Sequence, residues 1–170
     1  MKVLVTAASK HGATAEIAAA IGGVLESRGI ETMVSPPELV ETIEGYDAIV
    51  LGSAVYAGHW LGAATELVNR TRTELDDLPV WLFSSGPVGN PARKIVRMMG
   101  QEPVDIAEIR GVTRARDHHT FAGKLDRRDV GPAQRAALMA FRGLEGDFRD
   151  WDDVRVWADE IADELTEPEG

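Results

Sequence analysis

Val3-Leu4-Val5-Thr6-Ala7-Ala8-Ser9-Lys10-His11-Gly12-Ala13-Thr14 decides how this chain begins to fold. Val3-Leu4-Val5 is a short apolar run with strand chemistry. After Gly12 the apolar residues switch to helical spacing, with Ile17, Ile21, Val24 and Leu25 on one face. The unit is therefore strand, loop, helix, and the loop from Thr6 to Thr14 is rich in hydroxyls and small residues. Such a loop can cradle a phosphate, because the unpaired N–H groups of a helix N-terminus point at the anion and the helix dipole favours negative charge there. Gly12 lets the backbone approach closely, and Ser9 and Thr14 add side-chain donors. The same residues also read as an ordinary helix start, with Thr14 or Ser9 as cap and Gly12 as a turn residue. Taken alone, the loop does not separate the two readings.

Outward from this unit the alternation repeats. Arg28-Gly29 closes the helix, Ile30 to Val34 restores strand chemistry, and Pro36-Pro37 stops it before the short amphipathic stretch Leu39, Val40, Ile43. Ala48-Ile49-Val50-Leu51 is an uninterrupted apolar run ended by Gly52-Ser53, as expected of a strand buried on both faces of a parallel sheet. A loop from Ser53 to Trp60 leads to a helix carrying Leu61, Ala64, Leu67 and Val68, up to about Thr71. Val80-Trp81-Leu82-Phe83 is the fourth strand, Pro91 to Met99 reads as a helix, and His119-Thr120-Phe121-Ala122 offers a fifth strand. Helices follow over Pro132 to Arg142 and Trp151 to Leu165, the latter with Val154, Trp157, Ala158, Ile161 and Leu165 inward. Residues 101–116 carry no clear period. The whole is an α/β chain with a mainly parallel five-stranded sheet, one domain over residues 1–166 and a frayed tail over 167–170. Ligands of such doubly wound sheets bind outside the carboxyl ends of the strands, so the loops after strands one, three and four carry the chemistry.

Composition removes several function classes. With 170 residues, 44% hydrophobic and 27% charged, the chain has the make-up of a folded globular domain. Its 28 acidic residues against 18 basic ones leave a net charge of -10, which opposes approach to nucleic acid or an anionic membrane surface, so no nucleic-acid partner is expected. The absence of cysteine excludes disulfides, thiol nucleophiles and cysteine-based metal or iron-sulfur sites, so any redox chemistry must come from a bound cofactor. Polar Thr6, Ser9, Lys10 and His11 cut short the apolar start, and no stretch approaches the roughly 18 apolar residues of a spanning helix. The expectation is a cytoplasmic protein with no integral membrane segment.

The chain has neither a G-x-x-x-x-G-K-[ST] loop nor a G-x-G-x-x-G loop after strand one, which removes the usual cradles of ATP, GTP and NAD. Thr6-Ala7-Ala8 and Gly52-Ser53 stand where a phosphoacceptor site of this topology would want acidic residues. Ser9-Lys10-His11-Gly12-Ala13-Thr14 instead resembles the [ST]-x-x-G-x-[ST] FMN phosphate loop of flavodoxins. Gly52-Ser53-Ala54-Val55-Tyr56-Ala57-Gly58-His59-Trp60 is similar to their second flavin loop, and Phe83-Ser84-Ser85-Gly86-Pro87-Val88-Gly89 sits where the third would lie. Within the flavodoxins, the first loop, the Gly58-His59 pair and the Gly143-to-Leu165 ending look most like the menaquinone-dependent protoporphyrinogen oxidase type. Members of that type carry a long basic insertion after strand four, where this chain has only Ser84 to Asn90 before its next helix.

The resemblance implies a flavodoxin-like sheet of order 2-1-3-4-5 with helices on both faces, and non-covalent FMN as cofactor. It implies a cofactor site of Ser9, Lys10, His11, Gly12, Ala13, Thr14, Ser53, Ala54, Val55, Tyr56, Gly58, His59, Ser84, Ser85 and Gly86. Tyr56, with small Ala54, Ala57 and Gly58 around it, is the expected stacking residue, and Trp60 reads equally as a staple on the following helix. The function implied is electron transfer, either to a redox partner protein or as a small oxidoreductase acting on a quinone or porphyrinogen. A flavin-free binding module stands as the alternative, because Ala7, Ala8 and Ala13 supply no side-chain donors. Asp117-His118-His119 invites a metal reading, but adjacent histidines on a strand point to opposite faces, so no metal site is expected. Arg110, Arg114, Arg116, Lys124, Arg127 and Arg128 form a basic zone. It reads either as a dock for an acidic partner or as a solvated surface with scattered ion pairs.

Overall fold

The computed structural model describes residues 1–86, 102–126, 128, 131–140 and 146–167. The expected helix over Pro91 to Met99 and the loop Pro87 to Gly89 lie outside the described residues.

Strand β1 (Lys2–Ala8) lies at the middle of the sheet, parallel to β2 (Glu31–Ser35) on one side and to β3 (Ala48–Tyr56) on the other. Strand β4 (His59–Trp60) is a two-residue return that pairs antiparallel with the end of β3. Strands β5 (Val80–Ser85) and β6 (Asp117–Phe121) add in parallel, giving the order β2-β1-β3-β5-β6. With the short β4 set aside, this is the expected 2-1-3-4-5 order. A separate pair, β7 (Lys124–Leu125) and β8 (Gly146–Asp147), lies off the main sheet.

The helices are α1 (Ala13–Ser27), α2 (Gly62–Arg70), α3 (Arg72–Leu75), α4 (Ile106–Thr113), α5 (Pro132–Ala140) and α6 (Trp151–Thr166). Because strand side chains alternate between faces, the apolar runs of β1, β3 and β5 supply two cores at once. Val3, Val5, Val50, Trp81 and Phe83 pack under α1 and α6 through Ile17, Ile21, Leu25, Val154, Trp157 and Ile161. On the other face Leu4, Ile49, Leu51 and Leu82 pack under α2 and α4 through Ala64, Leu67, Val68, Ile106 and Ile109. Each such side chain contributes about 1.5–3 kcal/mol on burial, before the entropy of ordering it is set against that gain.

Three strands run longer than their apolar runs suggest. Ala7 and Ala8 pair with Gly52 and Ser53 and are buried, so Thr6 to Ala8 belong to β1 and only Ser9 to Gly12 form the loop. Likewise Gly52 to Tyr56 continue β3, because Gly52, Ser53 and Ala54 pair with Phe83, Ser84 and Ser85. Gly52 admits the Phe83 ring at the sheet, where an added Cβ would stand 2.3 Å from it. Strand β6 begins at Asp117, two residues before the expected start, since Asp117 and His118 pair with Trp81 and Leu82. The periodless stretch 101–116 contains α4. Among the described residues, no helix is long and apolar enough to cross a membrane.

Candidate functional site

The carboxyl ends of β1, β3 and β5 meet along one edge of the sheet, and each turns there. After β1 the chain closes a short loop in which the Gly12 N–H donates to Ser9 Oγ at 3.0 Å. Gly12 then takes φ +89° and ψ -15°, and nothing lies within 4 Å of where its Cβ would be. The first helical bond of α1 runs from the Glu16 N–H to the Gly12 carbonyl at 3.0 Å, and no side chain caps the helix. The capping role that Thr14 or Ser9 can play is thus not what the fold uses. Ser9 closes the loop, Thr14 is buried in the first turn, and Lys10 and His11 are exposed. The N-terminal N–H groups from Ala13 onward are left to an external acceptor.

A carboxylate in that first turn, Glu16, would compete with a bound anion, and it is drawn aside. Arg149, whose side chain is only 4% exposed, donates to Glu16, to Asp147 at 2.7 and 2.9 Å, and to the Ala13 carbonyl at 3.2 Å. Its guanidinium also lies over the Trp151 ring at 4.6 Å. The hydrogen bonds to Asp147 raise the Arg149 pKa above its ordinary value, and those from Arg149 hold the Asp147 carboxyl low. No feature of the sequence alone placed Arg149 at this helix.

After β3 the chain reverses in a two-residue hairpin. Ala57 at φ +50° and Gly58 at φ +80° form a turn with both central residues left-handed, the twist that suits a tight hairpin. Tyr56 stands half-buried at its base, with Lys10 Nζ 5.0 Å from the centre of its ring. This contact joins the first loop to the second. Ala54 is buried and Val55 packs against the α2 side of the sheet. Ser53 is fully buried and structural: its Oγ accepts the Leu61 N–H at 2.9 Å and donates to the Ala54 carbonyl at 2.8 Å. Trp60 is 5% exposed among Ala64, Leu67 and neighbours, so it is the staple and not the stacking face.

The hairpin tip is held from outside by a residue that sequence reasoning missed. Asp105 occupies the N-cap position of α4 but makes no capping hydrogen bond. Its carboxylate instead accepts the Trp60 N–H at 2.8 Å and lies 3.2 Å from His59 Nδ1, while the Val104 N–H donates to the Gly58 carbonyl at 2.9 Å.

At the end of β5, Ser84 and Ser85 are buried, and the Gly86 N–H, at φ +113°, donates to the Phe121 carbonyl at 2.9 Å. Ser84 Oγ accepts the Trp60 Nε1–H at 2.8 Å and lies 2.8 Å from His118 Nε2, whose other nitrogen lies 3.2 Å from Glu102. Burial, outweighing Glu102, lowers the His118 pKa. His119 turns to the opposite face, 3.0 Å from Asp153 and against Phe121, so the two histidines part as strand geometry requires. In the basic zone, Arg110, Arg114, Arg116 and Arg128 pair with Glu102, Asp76, Glu164 and Asp126; Arg127 lies outside the described residues.

Residues 4–152 match the sequence family described as the flavodoxin domain. The chain belongs to the flavodoxin domain family. A curated relative, protoporphyrinogen IX dehydrogenase [quinone] of Escherichia coli strain K12, is 28% identical over 184 aligned positions that cover 95% of each chain. Among solved structures, a flavodoxin from the domain Archaea superposes with a TM-score of 0.67 at 18% identity, covering 98% of this chain and 100% of that one. The second flavodoxin of Bacillus cereus, in its oxidised form, gives 0.60 at 19%, with coverage of 96% and 99%. Rubredoxin oxygen:oxidoreductase from Desulfovibrio gigas gives 0.64 at 14%, covering 96% of this chain and 36% of its own. For a flavodoxin domain the group to be accommodated is a flavin. The uncapped α1 start and the open space beside Gly12 fit its phosphate end, and the Tyr56 face, one lysine away, fits a planar ring.

Proposed function

We propose that this flavodoxin domain binds FMN non-covalently and transfers electrons. The observation that carries the reading is the start of α1, a 15-residue helix whose first N–H groups lack a side-chain cap behind an αL glycine, next to a loop whose Lys10 lies over the Tyr56 ring. When bound, FMN would supply the electron-carrying chemistry, and the protein's part is to hold it and set its potential. Ser9, Gly12, Ala13 and Thr14 would hold the phosphate, largely through backbone N–H groups. Lys10 would add positive charge beside the phosphate loop, and Tyr56 would offer the stacking face. Backbone groups from Ser53 to Gly58 and from Ser85 to Gly86 would meet the polar edge of the ring, because the Ser53 and Ser84 hydroxyls are already engaged within the protein. His59 borders this edge beside Asp105.

The test is a visible spectrum of the purified protein before and after adding FMN, with any chromophore released by denaturation and identified by mass. A flavin spectrum with saturable binding supports the reading. No binding signal in folded protein would leave a flavodoxin fold used as a binding module.

One observation favours a catalytic version. The Escherichia coli relative named for protoporphyrinogen IX and quinone aligns over 95% of both chains. A quinone-coupled oxidation assay with protoporphyrinogen separates this from a pure carrier, which would turn over only with a protein redox partner.

A further inference from the structure

The β3–β4 hairpin carries Tyr56, and two neighbouring residues before α4 bond to it, while its Trp60 indole donates to Ser84, which in turn meets His118. Val104 and Asp105 touch it at successive points: the Val104 N–H on the Gly58 carbonyl, and Asp105 on the Trp60 N–H and His59. Asp105 leaves its own helix uncapped to do so. Glu102, in the same segment before α4, faces His118 Nδ1 at 3.2 Å. A carboxylate only accepts, so Nδ1 carries the proton of the neutral ring and Nε2 is the acceptor. Ser84 therefore donates to Nε2 while receiving the Trp60 indole N–H, and the direction of every bond from Trp60 to Glu102 is determined.

We propose that residues 102–105 clamp the hairpin and that His118 is a positioning residue acting as the latch, its neutral ring tying the clamp to Ser84 and Trp60 and its protonation loosening the hairpin's hold on the flavin. This rests on the FMN reading above. Protonation converts Nε2 from acceptor to donor, so Ser84 loses the group it donates to, in a place where the His118 side chain is only 3% exposed. Among the described residues, the charged groups that act on the ring are Glu102 from the clamp, Arg110 from α4, which is 3.6 Å from Glu102, and Asp117, its neighbour on the strand. His59 and Asp105 lie at the hairpin itself. Burial and Arg110 favour the neutral ring, Glu102 and Asp117 the charged one, and burial prevails. Ser84, His118 and Glu102 have the connectivity of a hydrolytic triad, but Ser84 is 0% exposed and already receives Trp60, so it has no access to a substrate.

The experiment compares wild type with His118→Gln, whose side-chain oxygen accepts from Ser84 at every pH, and with Glu102→Gln. Imidazole nitrogen and backbone amide NMR on the apoprotein is combined with FMN titrations at about pH 8 and at about one pH unit below the His118 midpoint that the NMR gives, so that both states of the ring are sampled. The expected result is a neutral Nδ1–H ring, with the Gly58, His59 and Trp60 amides shifting at the midpoint of His118 and that midpoint moving lower in Glu102→Gln. FMN Kd should rise about fivefold more in wild type than in His118→Gln on acidification, a modest coupling between linked sites. The FMN phosphate, with its second pKa near about 6, contributes the same slope to both proteins. An Nε2–H ring, hairpin amides blind to the His118 midpoint, or equal FMN profiles overturn the latch. If no protein binds FMN at any pH, the cofactor reading fails, and the apoprotein amides alone decide the clamp.

Discussion

Gly12 and Thr14 set what the first loop can hold. At Gly12 the left-handed backbone faces open space, so the residue is required by its conformation and by what must come close to it, not by packing. Thr14 is 2% exposed in the first turn, and under the FMN proposal it would offer the phosphate a hydroxyl beside the backbone donors. Thr14→Ala is expected to weaken FMN binding by about 1 kcal/mol or more, about fivefold or more in Kd, because a bond to a charged acceptor is lost. A fluorescence titration showing an unchanged Kd would remove Thr14 from the site. Under the same proposal Tyr56 would act on the potential instead. Its ring face is electronegative and opposes charge gathered on a stacked flavin, so Tyr56→Ala should raise the midpoint potential by tens of millivolts, where about 59 mV is tenfold for one electron. Spectroelectrochemical titration reads this directly, and an unaltered potential rejects Tyr56 as the stacking residue. Both residues were singled out in the sequence by local signals, a hydroxyl just past the loop glycine and an aromatic among small neighbours. Asp105 and Arg149 were not, because their partners Trp60 and Glu16 are 45 and 133 positions away and only the folded sheet brings them together.

The hairpin is the element where local preference and fold disagree. A tight turn with two left-handed residues favours Asn-Gly or Gly-Gly, and this chain places Ala57 at φ +50°. The absence of that signature is why the sequence reads Ser53 to Trp60 as an open loop, although β3 continues to Tyr56 and returns at once through His59. The long apolar runs of β1, β3 and β5 were legible because burial on both faces needs them, whereas polar Ser53 and Ser84 belong to strands only through their ladder partners. If Ala57 is strained by the turn, Ala57→Gly relieves it at a modest entropic cost and should stabilise the fold by about 0.5–1 kcal/mol. For a chain of this size that raises Tm by about 1–4 °C. A lower Tm on thermal denaturation would mean that the hairpin is shaped by its clamp at Asp105 and Val104 and carries no strain at Ala57.

Across the whole molecule, acid acts through three opposing effects that can be separated by pH. The chain carries a net charge of -10, so neutralising carboxylates relaxes self-repulsion as pH falls. Asp147, held low by Arg149, contributes stability that is full above the ordinary carboxylate range and is lost progressively as pH falls from that range through its lowered pKa. His118 acts earlier and with the opposite charge logic. Burial lowers its pKa, so between its ordinary value of about 6.5 and its folded value the unfolded chain binds a proton that the native chain does not. Stability in that window must therefore rise with pH and fall on acidification. Urea unfolding of wild type and His118→Gln from about pH 8 to about pH 5 isolates the effect, since net charge and Asp147 enter both proteins alike. The wild type should lose stability relative to His118→Gln once pH falls below the ordinary histidine value, and by a margin that grows until the native ring is itself protonated. Parallel curves over the whole range would show that His118 titrates alike in folded and unfolded chains, and that the bond from Ser84 to its ring has no energetic hold on the sheet.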